Sequence, residues 1–560
     1  MAPLGIATTR YTERAVAAKG LINGAAPLFT NQESILYGGV LFLLPALIQQ
    51  GLFKTTELYT HIKEGFYRVE SIVLTLAIMA LCRIKNPEQT KQCKPGELGK
   101  IIGLDRIPEV RCLREKIKEL SNQNKSRQLS KELLGHWMPE KQDCIFLYVD
   151  GHVRIYYGSQ ANLPVKYVSR QKLCMSATTE FWVNDSNGSP LMVVTGELNE
   201  KLQHVIEHTI VPQLQTGKVL PPTVPTGHPF CTVIFDREAY SIPFFTSLWE
   251  KQIAVITYRK NVKDSWDESL FNTLEIQGFN KNKTMRICEQ KVQFDGLAMR
   301  EIRVLTDTGH QTSIITTNPV ITTREVASKM FSRWSQENYF KYMIANYDFD
   351  KMITYGVETI DENQVVVNPP HRRIKNKIKK EKDKRKRLEA QFYPLLEQAI
   401  DTPLQEMPAL TNKQKAIKEK IDDHDGEIQK LQAEANAIPA RIKLKDMPQD
   451  SRYNKLKTES KMLMNIIKMI CYRAETSVAN LAVPYLTRAD DEKRKFVQQI
   501  IDSSVDMKPD LQEKTLTLTI YSLSAPRYNT ALMELIQLLN QTETIFPGTD
   551  LKLIFKTHAS

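Results

Sequence analysis

The chain has 560 residues, enough for three or four domains, and its 42% apolar content can fill several cores. Net charge is +12, but residues 371–387 alone hold eleven Lys/Arg against two acids, so most of the surplus sits in one block that suits a polyanion. The longest apolar runs, Ile35 to Ile48 and Ile72 to Cys82, fall short of the ~20 residues of a membrane span, and no secretory leader pattern opens the sequence.

Residues 1–30 read as a loose leader. Residues 31–135 read as helical. Within them Val110, Leu113, Ile117 and Leu120 keep helical spacing. A short helix over 96–103, a turn at Leu104 to Pro108 and this second helix predict a helix-turn-helix. Arg111, Arg114 and Lys118 fall off the apolar stripe and are its candidate DNA contacts. The alternative is an ordinary helical hairpin with a solvated basic face.

Residues 141–258 change character. CIFLYVD, VRIYYG, ATTEFWVND and PLMVVTGEL read as strands, the last two joined by Ser-Asn-Gly turn chemistry. A helix over 199–215, the strand CTVIFD, a helix over 241–252 and the strand IAVITYR follow. This order, a meander and then alternating helix and strand, is that of an RNase H-like α/β core. Residues 259–322 instead alternate like consecutive strands and predict a β insertion outside the main sheet. Helix resumes over 323–350, and a basic segment covers 371–410. Residues 411–438 space apolar side chains alternately four and three apart. With 451–475 they predict a helical hairpin or short coiled coil over 411–503. The tail, 505–560, reads strand, helix, strand, a small α+β unit.

Eight cysteines stand singly, with no C-x-x-C pair, which predicts buried thiols in a reducing cytoplasm. No Gly-rich loop followed by Lys-Ser/Thr occurs, so ATP use is not expected. The run His204 to His208 matches H-x-x-E-H, but the pattern is short and a zinc site is not expected there.

Asp150 ends the first core strand and Asp236 follows CTVIFD. In an open sheet, adjacent strand ends share one crevice. Glu337 stands on the helix after the insertion, with Arg333 and Lys341 one turn to either side on one polar stripe, and Phe331 and Trp334 on an apolar side suited to packing on the sheet. Three carboxylates suit two Mg²⁺ ions, which take oxygen ligands and serve both the attacking and the leaving oxygen of a phosphodiester. Mn²⁺ can substitute. Glu197, Glu301 and Glu325 are rival third acids.

Over residues 31–350 the chain resembles the bacterial insertion-sequence transposases of the Asp-Asp-Glu class, in the subgroup with a β insertion before the glutamate helix. YVDGH, IFDREAY and RWSQENYFKYM carry the resemblance. It implies that Asp150, Asp236 and Glu337 are catalytic and bind metal, and that Arg237 belongs to the family's Asp-Arg pair. The family's glutamate helix carries Tyr, Arg, Glu and Lys at fixed spacing. Arg333 and Glu337 match, while Met330 and Ile344 stand at the Tyr and Lys positions, and Lys341 is the candidate replacement for the Lys. The implied function is cut-and-paste DNA transposition by a homodimer on double-stranded DNA in the bacterial cytoplasm, at the nucleoid. The alternatives are an RNase H-like nuclease that only cuts, and an inactive domesticated DNA-binding protein. In the basic block, Arg372, Arg373, Lys375, Lys379 and Lys380 are expected on DNA phosphates.

Overall fold

The computed structural model describes residues 7–558 apart from 61, 139–144, 169–170, 197–199, 218, 222, 277–282, 350–355, 359, 402, 404–406 and 450–451. Glu197, one of the rival third acids, and the start of the strand CIFLYVD lie outside the described residues. The fold is mixed α/β. No helix among the described residues is long and apolar enough to cross a membrane.

The described part of the expected leader is tied down. It carries a helix, Tyr11–Ala18. Arg14 on it binds Asp105, its Nε donating to Oδ2 at 3.0 Å, and the backbone of Thr9 and Arg10 donates to the same carboxylate. Strand β1 (Gln32–Ile35) follows, then helices α1 (Val69–Leu81), α2 (Pro95–Ile101), α3 (Val110–Ser121) and α4 (Ser126–Trp137). Helix α1 is buried nearly all round, as its apolar sequence requires.

The central sheet starts with β2 (Phe146–Ile155), one continuous strand where two were expected. It continues with β3 (Val165–Val168), β4 (Leu173–Asn184), β5 (Pro190–Thr195), β6 (Cys231–Ile234) and β7 (Ile253–Tyr258). Strand β2 is flanked by antiparallel β4 and parallel β6, and β7 lies parallel beyond β6. Helical residues 202–216 (α5) and α6 (Ile242–Glu250) make the crossovers and pack on one face with Val149, Phe181 and Val233.

The insertion does form strands: β8 (Asn272–Ile276), β9 (Lys283–Phe294), β10 (Leu297–Leu305) and β11 (Gln311–Thr316). It does not stand outside the sheet. Strand β11 pairs antiparallel with β7, and the sheet runs on through β10 and β9 to β8. The outer edge of β7 would otherwise carry unpaired backbone groups. Leu297, Met299 and Ile315 join the same core as α5 and α6. On the opposite face, α7 (Thr323–Phe331) packs Val326, Ala327 and Met330 against Ile256, Ile302 and Ile314. Helix α8 (Trp334–Tyr347) follows after a two-residue break.

Two further expectations are corrected. The helical hairpin pairs α9 (Pro369–Asp401) with α10 (Met407–Asn436), not 411–438 with 451–475. Helix α11 (Glu459–Ala482) instead runs through the main core, with α12 (Ala489–Asp502) beside it. Nor is the tail a separate unit. Its strands, Val505–Asp510, Thr515–Ile520 and Lys552–Thr557, take β1 as their fourth neighbour, and its helix Pro526–Asn540 shares one core with α1, α3 and α11. Residues 31–135 and 459–557 therefore form one body. Among the described residues no cysteine is bonded. Cys82, Cys231 and Cys471 are buried as expected, while Cys174 is exposed.

Candidate active site

Strand register brings the first two acids together. Tyr148 on β2 sits opposite Ile234 on β6 in the parallel ladder, so Asp150 and Asp236 each stand two residues further along. Side chains two apart share a face. Both acids therefore project to the face covered by α7 and α8.

Helix α8 is fixed to that face by a residue the sequence gave no reason to single out. Gln336, buried beside Glu337, donates from Nε2 to the carbonyls of Tyr148 at 3.1 Å and Trp182 at 3.2 Å and to Asn184 Oδ1 at 2.9 Å. Trp182 pairs with Asp150 across the ladder, so this amide clips α8 next to the strand that carries the acid.

Arg333, in the break before α8, reaches all three acids. Its Nη1 lies 3.8 Å from Asp150 Oδ2, and its Nη2 lies 3.5 Å from Asp236 Oδ2 and 3.4 Å from Glu337 Oε1. The other oxygen of each aspartate is held by the next backbone N–H, from Gly151 at 2.9 Å and Arg237 at 2.7 Å. One oxygen of each acid thus faces a common point, filled by a guanidinium. Among the described residues no three His, Cys, Asp or Glu side chains are grouped closely enough to hold a metal ion as they stand. The donor chemistry nevertheless fits hard cations, since all three groups are carboxylates that already share one positive charge.

Burial pushes the Asp150 carboxyl up to about 6. Arg333 and the Gly151 N–H oppose the shift, and the charges of Glu238 and Asp236 add to it. Glu238, an acid the sequence reading passed over, is thus part of the field at the site. The sign of the pH effect follows. Between the ordinary value of 3.8 and about 6, the folded chain keeps a proton that the unfolded chain has lost, so stability falls as pH rises through that window. In chelator, Asp150→Asn should match the wild type near pH 4 and exceed it in melting temperature above pH 6. Parallel profiles would contradict the shift.

The rivals are otherwise engaged. Glu301 is buried and bound by Arg259 at 2.6 Å, Arg303 at 2.7 Å and Ser313 at 2.7 Å. Glu325 forms a capping box with Thr322 at the start of α7. His204 pairs with Glu200 at 2.7 Å.

The expected DNA contacts scatter. Arg237 is exposed, with its guanidinium 5.5 Å from the Tyr258 ring centre. Lys341 is exposed and lies 5.5 Å over the Trp334 ring. Trp334 does not pack on the sheet: it is 60% exposed. On α3, Arg111 pairs with Glu115 at 3.1 Å and Arg114 with Glu88 at 2.6 Å, so acids interleave the basic face, while Lys118 is exposed. Arg372 donates to the Val165 carbonyl on β3 at 3.2 Å, and Arg373, Lys375, Lys379 and Lys380 are exposed along α9.

No curated protein matches the chain. Among solved structures it is similar to a piggyBac transposase in a synaptic complex with hairpin DNA, at 11% identity and a TM-score of 0.29, over 56% of this chain and 71% of that one. A family model described as transposase protein matches residues 5–559. The chain belongs to the transposase protein family.

Proposed function

We propose that the chain is a metal-dependent DNA-strand transferase with an RNase H-like core, acting by cut-and-paste transposition through Asp150, Asp236 and Glu337. One observation carries the reading: three acids from β2, the end of β6 and α8 share a single guanidinium. The strand order β5, β4, β2, β6, β7, with crossover helices before β6 and β7, supports the core assignment.

Divalent cations held by the three carboxylates would activate the attacking oxygen and stabilise the leaving one. The protein's own part is placement. Gln336 sets the depth of α8, and the backbone N–H groups of Gly151 and Arg237 fix the aspartate rotamers. Arg333 offsets part of the charge of the three carboxylates and is placed to turn to a DNA phosphate when divalent cations neutralise them. The test is cleavage of DNA carrying the native transposon ends by the full chain, with the three acids substituted one at a time.

The basic helix α9 adds affinity without sequence preference. Changing Arg372, Arg373, Lys375, Lys379 and Lys380 together to Ala should weaken binding to end-bearing and random duplex by similar factors. Unequal factors would mean that the helix reads sequence.

A further inference from the structure

The cations of α9 are not spread evenly round the helix. One face is a seam against α10. Ile374 and Ile378 pack on Ile428, Leu431 and Ala435, Glu381 meets His424 Nδ1 at 2.7 Å, and Arg385 meets Asp425 at 2.7 Å. Lys375, Lys379, Lys382 and Lys386 recur at four- and three-residue steps along one flank. Arg373, Lys377, Lys380, Lys384 and Arg387 do so along the other. At 3.6 residues per turn, each row stands roughly a third of a turn from the seam. All nine side chains are exposed. Among the described residues of the two rows, an acid partner is recorded only for Lys384, which binds Glu381. Asn376 and Asp383 lie midway between the rows, opposite α10.

A helix that served only solubility would alternate acids with bases at four-residue spacing. A helix lying against one DNA strand would need one row. Two rows with the seam behind them match a third geometry. A helix with its side chains is about 10–12 Å across, and the major groove of duplex DNA is about 12 Å wide. A helix lying in that groove has a phosphate chain on each side.

We propose that α9 enters the major groove of duplex DNA, its two cation rows gripping the two phosphate chains while α10 braces it from outside. This deepens, and rests on, the reading of the chain as a DNA-strand transferase. The gripping part is the root of the arm. Residues 372–387 rise about 24 Å, or about seven base pairs. From Leu388 to Asp401 no Lys or Arg follows. The root is anchored through Arg372 to β3, an edge strand of the sheet that carries the acids.

The test is binding of a random 20-base-pair duplex by the full chain across a salt series in chelator, where cleavage plays no part. Failure of the cleavage reading would therefore leave the result untouched. One variant carries Lys375→Ala, Lys379→Ala, Lys382→Ala and Lys386→Ala. A second carries Arg373→Ala, Lys377→Ala, Lys380→Ala and Arg387→Ala. All eight positions are exposed, and unchanged melting temperatures will establish that both variants fold. Each should flatten the salt slope by up to about 3.6, by comparable amounts. A duplex whose cytosines carry bulky glucosylated groups, which fill the major groove and spare the phosphates, should bind at least ten-fold more weakly to the wild type. A slope that responds to one row only, or to neither, overturns the proposal. So does equal binding of the filled and open duplexes.

Discussion

Asp150→Asn, Asp236→Asn and Glu337→Gln should each cut strand cleavage by ~100-fold or more, the scale of removing one group that stabilises charge in a transition state. DNA affinity should hold or rise. Each change deletes a negative charge from a surface that must accept phosphates, and each leaves Arg333 with one carboxylate fewer to balance. Arg333→Ala acts in the opposite sense. It removes the one cation shared by the three acids, so the Asp150 carboxyl, already pushed up to about 6, should rise further. Cleavage by that variant should therefore need a higher pH as well as more metal. Gel-resolved cleavage and anisotropy binding on the same end-bearing duplex separate the two effects. A triad variant that loses binding and cleavage together, with its fold intact, would count against a purely chemical role.

Glu475→Ala should be the most destabilising single change on the surface where α8 meets the terminal body. The Glu475 carboxylate is fully buried on α11. It receives Arg83 at 3.0 Å, Arg494 at 3.3 Å, the Tyr347 hydroxyl at 2.7 Å and the Tyr342 hydroxyl. Burial alone would raise this carboxyl, but the two guanidiniums prevail and hold it below the ordinary value of 4.5. Losing it strands two guanidiniums, and breaking a buried pair in this way costs about 3–5 kcal/mol. Because its folded value is depressed, the group's contribution is full above about pH 4.5 and fades as pH falls through the folded value. Wild type and Glu475→Ala should thus converge in stability toward acid, as read by urea denaturation at pH 7 and pH 4. Tyr342 and Tyr347 end the helix that carries Glu337, so the variant should also lose activity. A loss of less than 1 kcal/mol at pH 7 would show that the network does not hold α8.

The core was legible where local pattern decides the outcome. The apolar runs before both acids are strands, but only Asp236 stands just past a strand end; Asp150 lies in the middle of the continuous β2, and the parallel register of β2 and β6 aligns the two acids. What the pattern could not supply was partners. Alternation marked β8 to β11 as strands, but nothing local says that β11 completes the edge of β7. Strand β1 pairs with residues 470 or more positions away. The hairpin seam was half visible: Ile428, Leu431 and Ala435 keep heptad spacing, but their partner helix places Glu381 and Arg385 in its seam amid a run of cations. Trp334 leaves its expected side for a definite reason: a single helical phase over 323–350 puts it beside Phe331, whereas α7 ends at Phe331 and α8 begins afresh at Trp334. Gln336 and Glu238 stand inside RWSQENYFKYM and IFDREAY, but no local pattern assigns them a role, and only the folded geometry gives them a part.

The most direct measurement is incubation of the full chain with DNA bearing the native ends and a labelled target, with Mg²⁺, with Mn²⁺ and with chelator. The account predicts cleavage that frees a 3′-hydroxyl at the end, joining of that end to target, full dependence on the divalent ion, and none of this in Glu337→Gln. Cleavage that persists in chelator, or in Glu337→Gln at the wild-type rate, would contradict it.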